Sequence, residues 1–387
     1  TSIDTNYKEF VKEVLDSASK TVNFAEFATA GKVPMVSVMY AGPGQHSSRE
    51  DGYEDYLWAR FSSGTSFSVN DGAVTVSSFF LGDELFQNYN INDDGGYVPI
   101  SANFDGIGLF CHEFSHALGL PDLYYTGKNT TISKTIRTMG YWDLMDYGQY
   151  MYNGYYPPAY SAYERSFLGW LDIKELTDPE FVTLYPSGSE DLGPTACVIR
   201  NPENEKEYYI FQNRQDRTWY HANFLGHGLL VTHVDYSASL WTSNSVNNDP
   251  DHRRVMYVPA DNGYNLTYRQ SGESSTDFWN TYRNDLFPGG LGVKDFTDTT
   301  TPSADVFTPS GKLGAPVYGI TEHADGTITF AFLEKSLTGV QGVTTEENGT
   351  ATEVYGINGR RLPGLQGAAP GVYLVRQGDT VRKVLVK

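Results

Sequence analysis

The stretch FCHEFSHALGLPDLYY, residues 110–125, sets two histidines four apart around a glutamate. On a helix, positions four apart share one face about one turn apart, so His112 and His116 can present imidazole nitrogens to one ion. Glu113 lies about 100° round the same helix. It is poorly placed to share that ion but can reach a water bound to it. Gly119 suits the left-handed conformation that ends a helix, and Pro121 stiffens a turn that returns Asp122 toward the histidines. Zinc in a catalytic site takes three protein ligands and leaves one position open, which His112, His116 and Asp122 satisfy. Glu164, on a short predicted helix downstream, is the alternative third ligand. Ile107, Phe110, Phe114 and Leu118 form the apolar face of the motif helix, expected to anchor it in the core.

Outward from this stretch, Tyr7, Phe10, Val11, Val14 and Leu15 recur at helical spacing near the start of the chain. Residues 33–41 alternate and read as a strand. Residues 73–81, AVTVSSFFL, are β-branched and aromatic and read as a second strand, the one expected to offer an edge to an extended substrate. After the motif comes a segment dense in aromatic and turn residues, ending in a short helix near 159–169. From about residue 173 the character changes. Runs such as EYYIFQNR, HGLLVTHVDY, RRVMYVPA and TITFAFL alternate with polar loops, as in an all-β region. A Gly/Thr/Glu-rich break near residue 338 precedes a tail of short strands separated by turns. The expected architecture is α+β: a catalytic domain over residues 1–172, an all-β, sandwich-like domain over 173–337, and a small β tail over 338–387.

Among the 387 residues are 28 tyrosines, and the formal charge is −19. That charge argues against nucleic acid or anionic lipid as the main partner, because the surface repels phosphate. Two cysteines, Cys111 and Cys197, give no disulfide framework, and Cys111 reads as a buried thiol, with a bridge the alternative. No apolar run is long enough for a membrane-spanning helix. The start at Thr1, without a leader, reads as a processed or truncated product. Sequons occur at Asn129, Asn265 and Asn348. His233 and Asp235, with Asn244, Asn247 and Asn248 nearby, make an oxygen-rich loop that reads first as turn-forming residues in a solvated loop, with calcium as a second cofactor the alternative. His46 and His252 read as ordinary polar residues.

The motif stretch HEFSHALGLPDLY resembles the active-site segment of the M6 metallopeptidases, the immune inhibitor A-like family. MVSVMYAG and LWARF upstream are similar to that family's catalytic domain, and YWDLMDYG with PPAYSAYERSFLGWL to its downstream region. YYIFQNRQ, GHGLLVTHVDY and PADN are similar to its β-rich second region, so the resemblance spans most of residues 33–290. It implies a metzincin-like zinc site with a methionine turn beneath the metal. Met145 matches that position and Met139 is its competitor. It also implies that Tyr147 can swing toward the metal and donate to an oxyanion, against the alternative of a packing tyrosine. The implied function is a secreted zinc endopeptidase acting on proteins or peptides, with Glu113 as general base. A non-catalytic surface adhesin with a relic motif is the alternative. VYGINGRRL, APGVYLVR and the terminal KVLVK resemble the C-terminal sorting domain of Bacteroidetes type IX-secreted proteins, without its usual leading strand.

Overall fold

The computed structural model describes residues 6–49, 53–92, 96–215, 225–263, 274–337, 352–356, 360–365, 368–377 and 380–386. Asn265, Asn348 and the break after residue 337 lie outside them. Helix α1 (Tyr7–Ala18) turns Val11 and Leu15 onto the first sheet, as its spacing predicts. That sheet holds β1 (Lys32–Val33), β2 (Val36–Pro43), β3 (Arg60–Val69), β4 (Val74–Ile91) and β5 (Tyr97–Phe104). β1 and β2 run parallel to β4, whereas β3 and β5 run antiparallel to it.

The 73–81 segment therefore lies at the centre of the sheet rather than on an edge. Val76, Phe79, Phe80 and Leu81 are all buried, and burial on both faces explains their near-continuous apolar run. β1, β2, β3 and β5 each pair only with β4 among the described residues, so each keeps a side open. β3 is the one whose residues Arg60, Phe61 and Ser63 line a cleft.

Helix α2 (Ile107–Ala117) carries the motif. Its orientation is the reverse of the one expected: Ile107 is 50% exposed, Phe110 and Phe114 37% each, while His112, Glu113 and Ser115 are buried. Glycines make the inward face possible. Gly108 donates to the Gly154 carbonyl at 2.9 Å, and a Cβ on Gly108 would lie 2.0 Å from the Gln149 carbonyl oxygen. The exposed rings cover one another instead, with Phe110 edge-on to Phe80 and stacked on Phe114.

Short helices α3 (Thr130–Thr135) and α4 (Ala162–Phe167) follow. Beyond them come β6 (Lys174–Glu175), β7 (Glu180–Leu184), β8 (Ala196–Asn201), β9 (Asn204–Arg214), β10 (Gly228–Asp235), α5 (Ala238–Thr242), β11 (Val255–Val258), α6 (Ser275–Tyr282), β12 (Val317–Glu322) and β13 (Ile328–Phe332). A five-stranded sheet in the order β11-β10-β9-β8-β6 faces a three-stranded one, β12-β13-β7. Phe211, Val231 and Ile199 from the first meet Leu184, Ile320 and Phe330 from the second in one apolar cluster. The other side of the five-stranded sheet, through Val198, Ile210, Leu230 and Val234, packs on Leu123, Met139, Met145 and Tyr163. The β region is thus cored on both faces, one of which supports the segment after the motif. In the tail, β14 (Thr352–Gly356), β15 (Arg361–Leu362), β16 (Gly371–Gln377) and β17 (Thr380–Val386) form their own sheet around Val354, Val375 and Val384. No described helix is long and apolar enough to cross a membrane.

Candidate metal centre

α2 ends at Gly119, whose φ of +100° is the left-handed turn that this glycine suggested. The backbone closes with Gly119 N–H on the His116 carbonyl and Leu120 N–H on that of Ser115. The turn then brings Asp122 beneath the helix. Asp122 Oδ1 lies 3.1 Å from His112 Nε2 and 3.3 Å from His116 Nε2. Among the described residues that oxygen has no hydrogen-bond donor, although it is buried.

Both imidazoles are fixed by backbone carbonyls. His112 Nδ1 donates to Leu144 O at 2.9 Å, and His116 Nδ1 donates to Leu120 O at 2.8 Å. A carbonyl only accepts, so each Nδ1 must carry the proton and each Nε2 is left for an electrophile. Ligands bonded to one zinc at 2.0–2.2 Å in a tetrahedron stand about 3.3–3.6 Å apart. The observed separations are close to this, and two nitrogens with one carboxylate oxygen are donors that zinc accepts. His112, His116 and Asp122 therefore fit a metal.

The charges agree with that fit. Burial disfavours a charged His112, but the carboxylate of Asp122 outweighs it and lifts the imidazole to about 8. Burial likewise opposes ionisation of Asp122, yet the two imidazoles hold its carboxyl far below the usual carboxylate range. A positive ion would replace those protons.

Glu113 borders a cleft of about 710 Å³ together with His116, Asp122, Arg60 and Phe61. Its carboxylate accepts the backbone N–H of Phe61 on β3. Burial raises its pKa, against the lowering effect of the two imidazoles and that N–H.

Residues 7–171 match the profile of the immune inhibitor A peptidase M6 catalytic domain. This part of the chain is similar to the M6 peptidase family. Two curated relatives, each a Pre-pro-metalloprotease PrtV of Vibrio cholerae serotype O1 (strains M66-2 and ATCC 39315 / El Tor Inaba N16961), are 24% identical over 259 residues. The match covers 56% of this chain and 26% of each relative, so the chain spans about a quarter of the length of the curated relatives it matches.

Other residues of the M6 domain fall into distinct places. Glu164 is fully buried at the start of α4, where it and Ser161 form a reciprocal cap, with Ser161 N–H donating to Oε2 at 2.6 Å. Burial and neighbouring Asp143 raise its pKa well above the ordinary value. By distance, the carboxylate grouped with the two imidazoles is that of Asp122 and not that of Glu164. Met145 and Met139 are both wholly buried, and Leu144 beside Met145 is the residue that fixes His112. Tyr147 packs edge-on against Tyr124 with ring centroids 6.3 Å apart. Tyr124 lies nearly parallel to His112 and lines the cleft. Cys111 and Cys197 are free thiols.

Asn244 is the residue whose part in the centre was missed by sequence reasoning. Its Nδ2 donates to Asp122 Oδ2 at 2.6 Å, and its Oδ1 accepts Asp122 N–H at 2.7 Å. The oxygen-rich loop for which calcium is the alternative reading is thus engaged with protein donors. Asn247 donates to the Leu123 and Val255 carbonyls, and Asn248 bonds Thr126. Asp235 pairs with Arg254 and His252, each at 2.7 Å, and His233 with Glu207 at 3.0 Å. Their oxygens serve protein donors and do not converge, so calcium is not supported there. No local pattern marks Asn244 as a clasp; its left-handed backbone, φ 51°, says only that it sits in a turn.

Proposed function

We propose that this chain is a secreted zinc endopeptidase. The observation that carries the reading is the convergence of two tautomer-fixed Nε2 atoms on Asp122 Oδ1, with the Glu113 carboxylate beside the same cleft. A zinc ion held by His112, His116 and Asp122 would supply Lewis-acid activation of water and of a peptide carbonyl. Glu113 would take the proton of the attacking water and return it to the leaving amine, a task favoured by a carboxyl whose pKa is raised toward neutrality. Tyr147 would donate to the oxyanion after leaving its packing against Tyr124. An extended substrate would lie along β3, which contributes Arg60, Phe61 and Ser63 to the cleft wall. Export belongs to the same reading, on the resemblance of the chain to the M6 family.

The test is hydrolysis of casein and of a quenched fluorescent peptide by the Glu113→Gln chain. Zinc content should match the wild type while hydrolysis falls about 10²–10⁴-fold, the usual worth of a general base. Activity near the wild-type rate would refute the mechanism. Activity in the wild type that survives chelation would refute the metal. An adhesin with a relic motif would hydrolyse neither substrate, with or without added zinc.

A further inference from the structure

We propose that His46, Asp83 and Asp105 form a second divalent-cation site, of zinc-type preference, which ties the start of α2 to the first sheet. One ring nitrogen of His46 and one oxygen from each carboxylate lie within 4.8 Å of one another. His46 Nδ1 is 3.5 Å from Asp83 Oδ1, and its Nε2 is 3.6 Å from Asp105 Oδ2. The first gap exceeds the roughly 2.7–2.9 Å of a charge-assisted hydrogen bond and matches the separation of about 3.3–3.6 Å between donors on one tetrahedral ion. The second runs to the other ring nitrogen, so Asp105 joins the site through the wider 4.8 Å grouping.

Each carboxylate is held so that one oxygen is anchored and the other is aimed at His46. Asp83 Oδ2 accepts Gly44 N–H at 2.9 Å, and Asp105 Oδ1 accepts Gly106 N–H at 2.8 Å. Asp83 is 2% exposed, and its Oδ1, like His46 Nδ1, has no hydrogen-bond partner among the described residues. A buried carboxylate oxygen left without a donor is costly, and a bound cation removes that cost.

Gly44 allows the loop to press against Asp83, since a Cβ there would lie 2.8 Å from the Asp83 carboxyl carbon. Arg49 turns its guanidinium toward the carbonyls of His46 and Ser48. Burial pushes Asp83 up to about 6. It pushes Asp105 up to about 7 with help from Asp83's charge, and lowers His46 to about 4 with help from Arg49. Two carboxylates beside a neutral imidazole are donors that a divalent cation accepts, and its charge would favour their ionised form. An imidazole among the donors favours zinc over calcium, which takes six to eight oxygens.

The position gives the ion a structural task. Asp83 belongs to β4, His46 to the loop after β2, and Asp105 directly precedes Gly106, which caps α2. The site shares no residue with the peptidase centre, so each can be tested without the other.

The experiment is zinc analysis of the full chain, dialysed to remove loose metal, beside a chain with His112→Ala and His116→Ala. The wild type should hold about two zinc ions and the double variant about one. Adding Asp83→Asn to the double variant should take it to background, with the circular dichroism unchanged. Zinc should also raise the Tm of the double variant itself, a readout that needs no change at the proposed site. A double variant that neither binds zinc nor gains Tm would overturn the proposal and leave the peptidase centre standing. Binding that survives both Asp83→Asn and His46→Ala would overturn it too, by placing the ion elsewhere.

Discussion

Asn244 reaches Asp122 from 122 residues along the chain, and it bonds both the side chain and the backbone of that residue. Its effect on the metal should be that of an outer partner fixing a ligand. Asn244→Ala is expected to weaken zinc binding about 10–100-fold while leaving kcat at saturating zinc close to wild type. Competition with a chromophoric chelator measures the first quantity and zinc-titrated kinetics the second. His112 supplies a pH prediction. In the metal-free chain its pKa is raised to about 8, so below that value zinc must displace a proton. Apparent zinc affinity should therefore fall about tenfold for each pH unit below roughly 8 and level off above it. A flat profile between pH 6 and 9 would mean that His112 does not carry the competing proton. Five of the motif's residues were legible in the sequence because helix period and one glycine turn fix them relative to one another. Asn244 was not, since an asparagine in a distant turn carries no mark of its partner.

At the scale of elements, α2 turns its polar stripe inward and leaves its aromatic stripe half exposed. Amphipathic reasoning alone predicts the opposite, and it fails because the donors must meet inside the fold, where carbonyls can fix their tautomers. Gly108 is what lets the helix approach that closely. Gly108→Ala should cost about 1–3 kcal/mol through overpacking against the Gln149 carbonyl, read as a lowered Tm together with reduced zinc occupancy. Ile107→Thr, on the exposed face, should by contrast shift stability by no more than about 0.5 kcal/mol. A large loss from Ile107→Thr would restore the original orientation. The 73–81 strand repeats the lesson. Its β-branched and aromatic composition marked a strand, but only pairing with β1, β2 and β3 showed that it is central. Of the strands around it, β3 is the one that lines the cleft, and its smaller residues gave no such signal.

Across the whole molecule, the β region is a structural partner of the M6 domain. Leu120, Leu123, Met145 and Tyr163 share one apolar cluster with Ile210, Leu230, Val234 and Tyr282. Trp241 donates its indole N–H to Tyr163 at 2.6 Å, and Trp142 donates to Asp285 at 2.9 Å. A chain ending at residue 172 would expose that cluster and lose Asn244. It should show no cooperative thermal transition and bind zinc more weakly than the full chain, by calorimetry and metal analysis respectively. The tail has its own small core, so a chain ending at residue 337 should keep the melting behaviour of the rest.

Sequence by itself singled out His112, His116, Asp122 and Glu113 as candidates and marked the strand-rich second half, because each depends on spacing within a few turns of backbone or on composition. Tertiary structure decided which face of α2 is buried, that β4 is central, and that Phe61, Leu144 and Asn244 complete the centre from 52, 32 and 122 residues away. It also drew His46, which looked like an ordinary polar side chain, between two carboxylates. Backbone sterics act locally and leave a periodic trace. Burial depends on every segment that shares the core, and it selects partners that no short stretch can name.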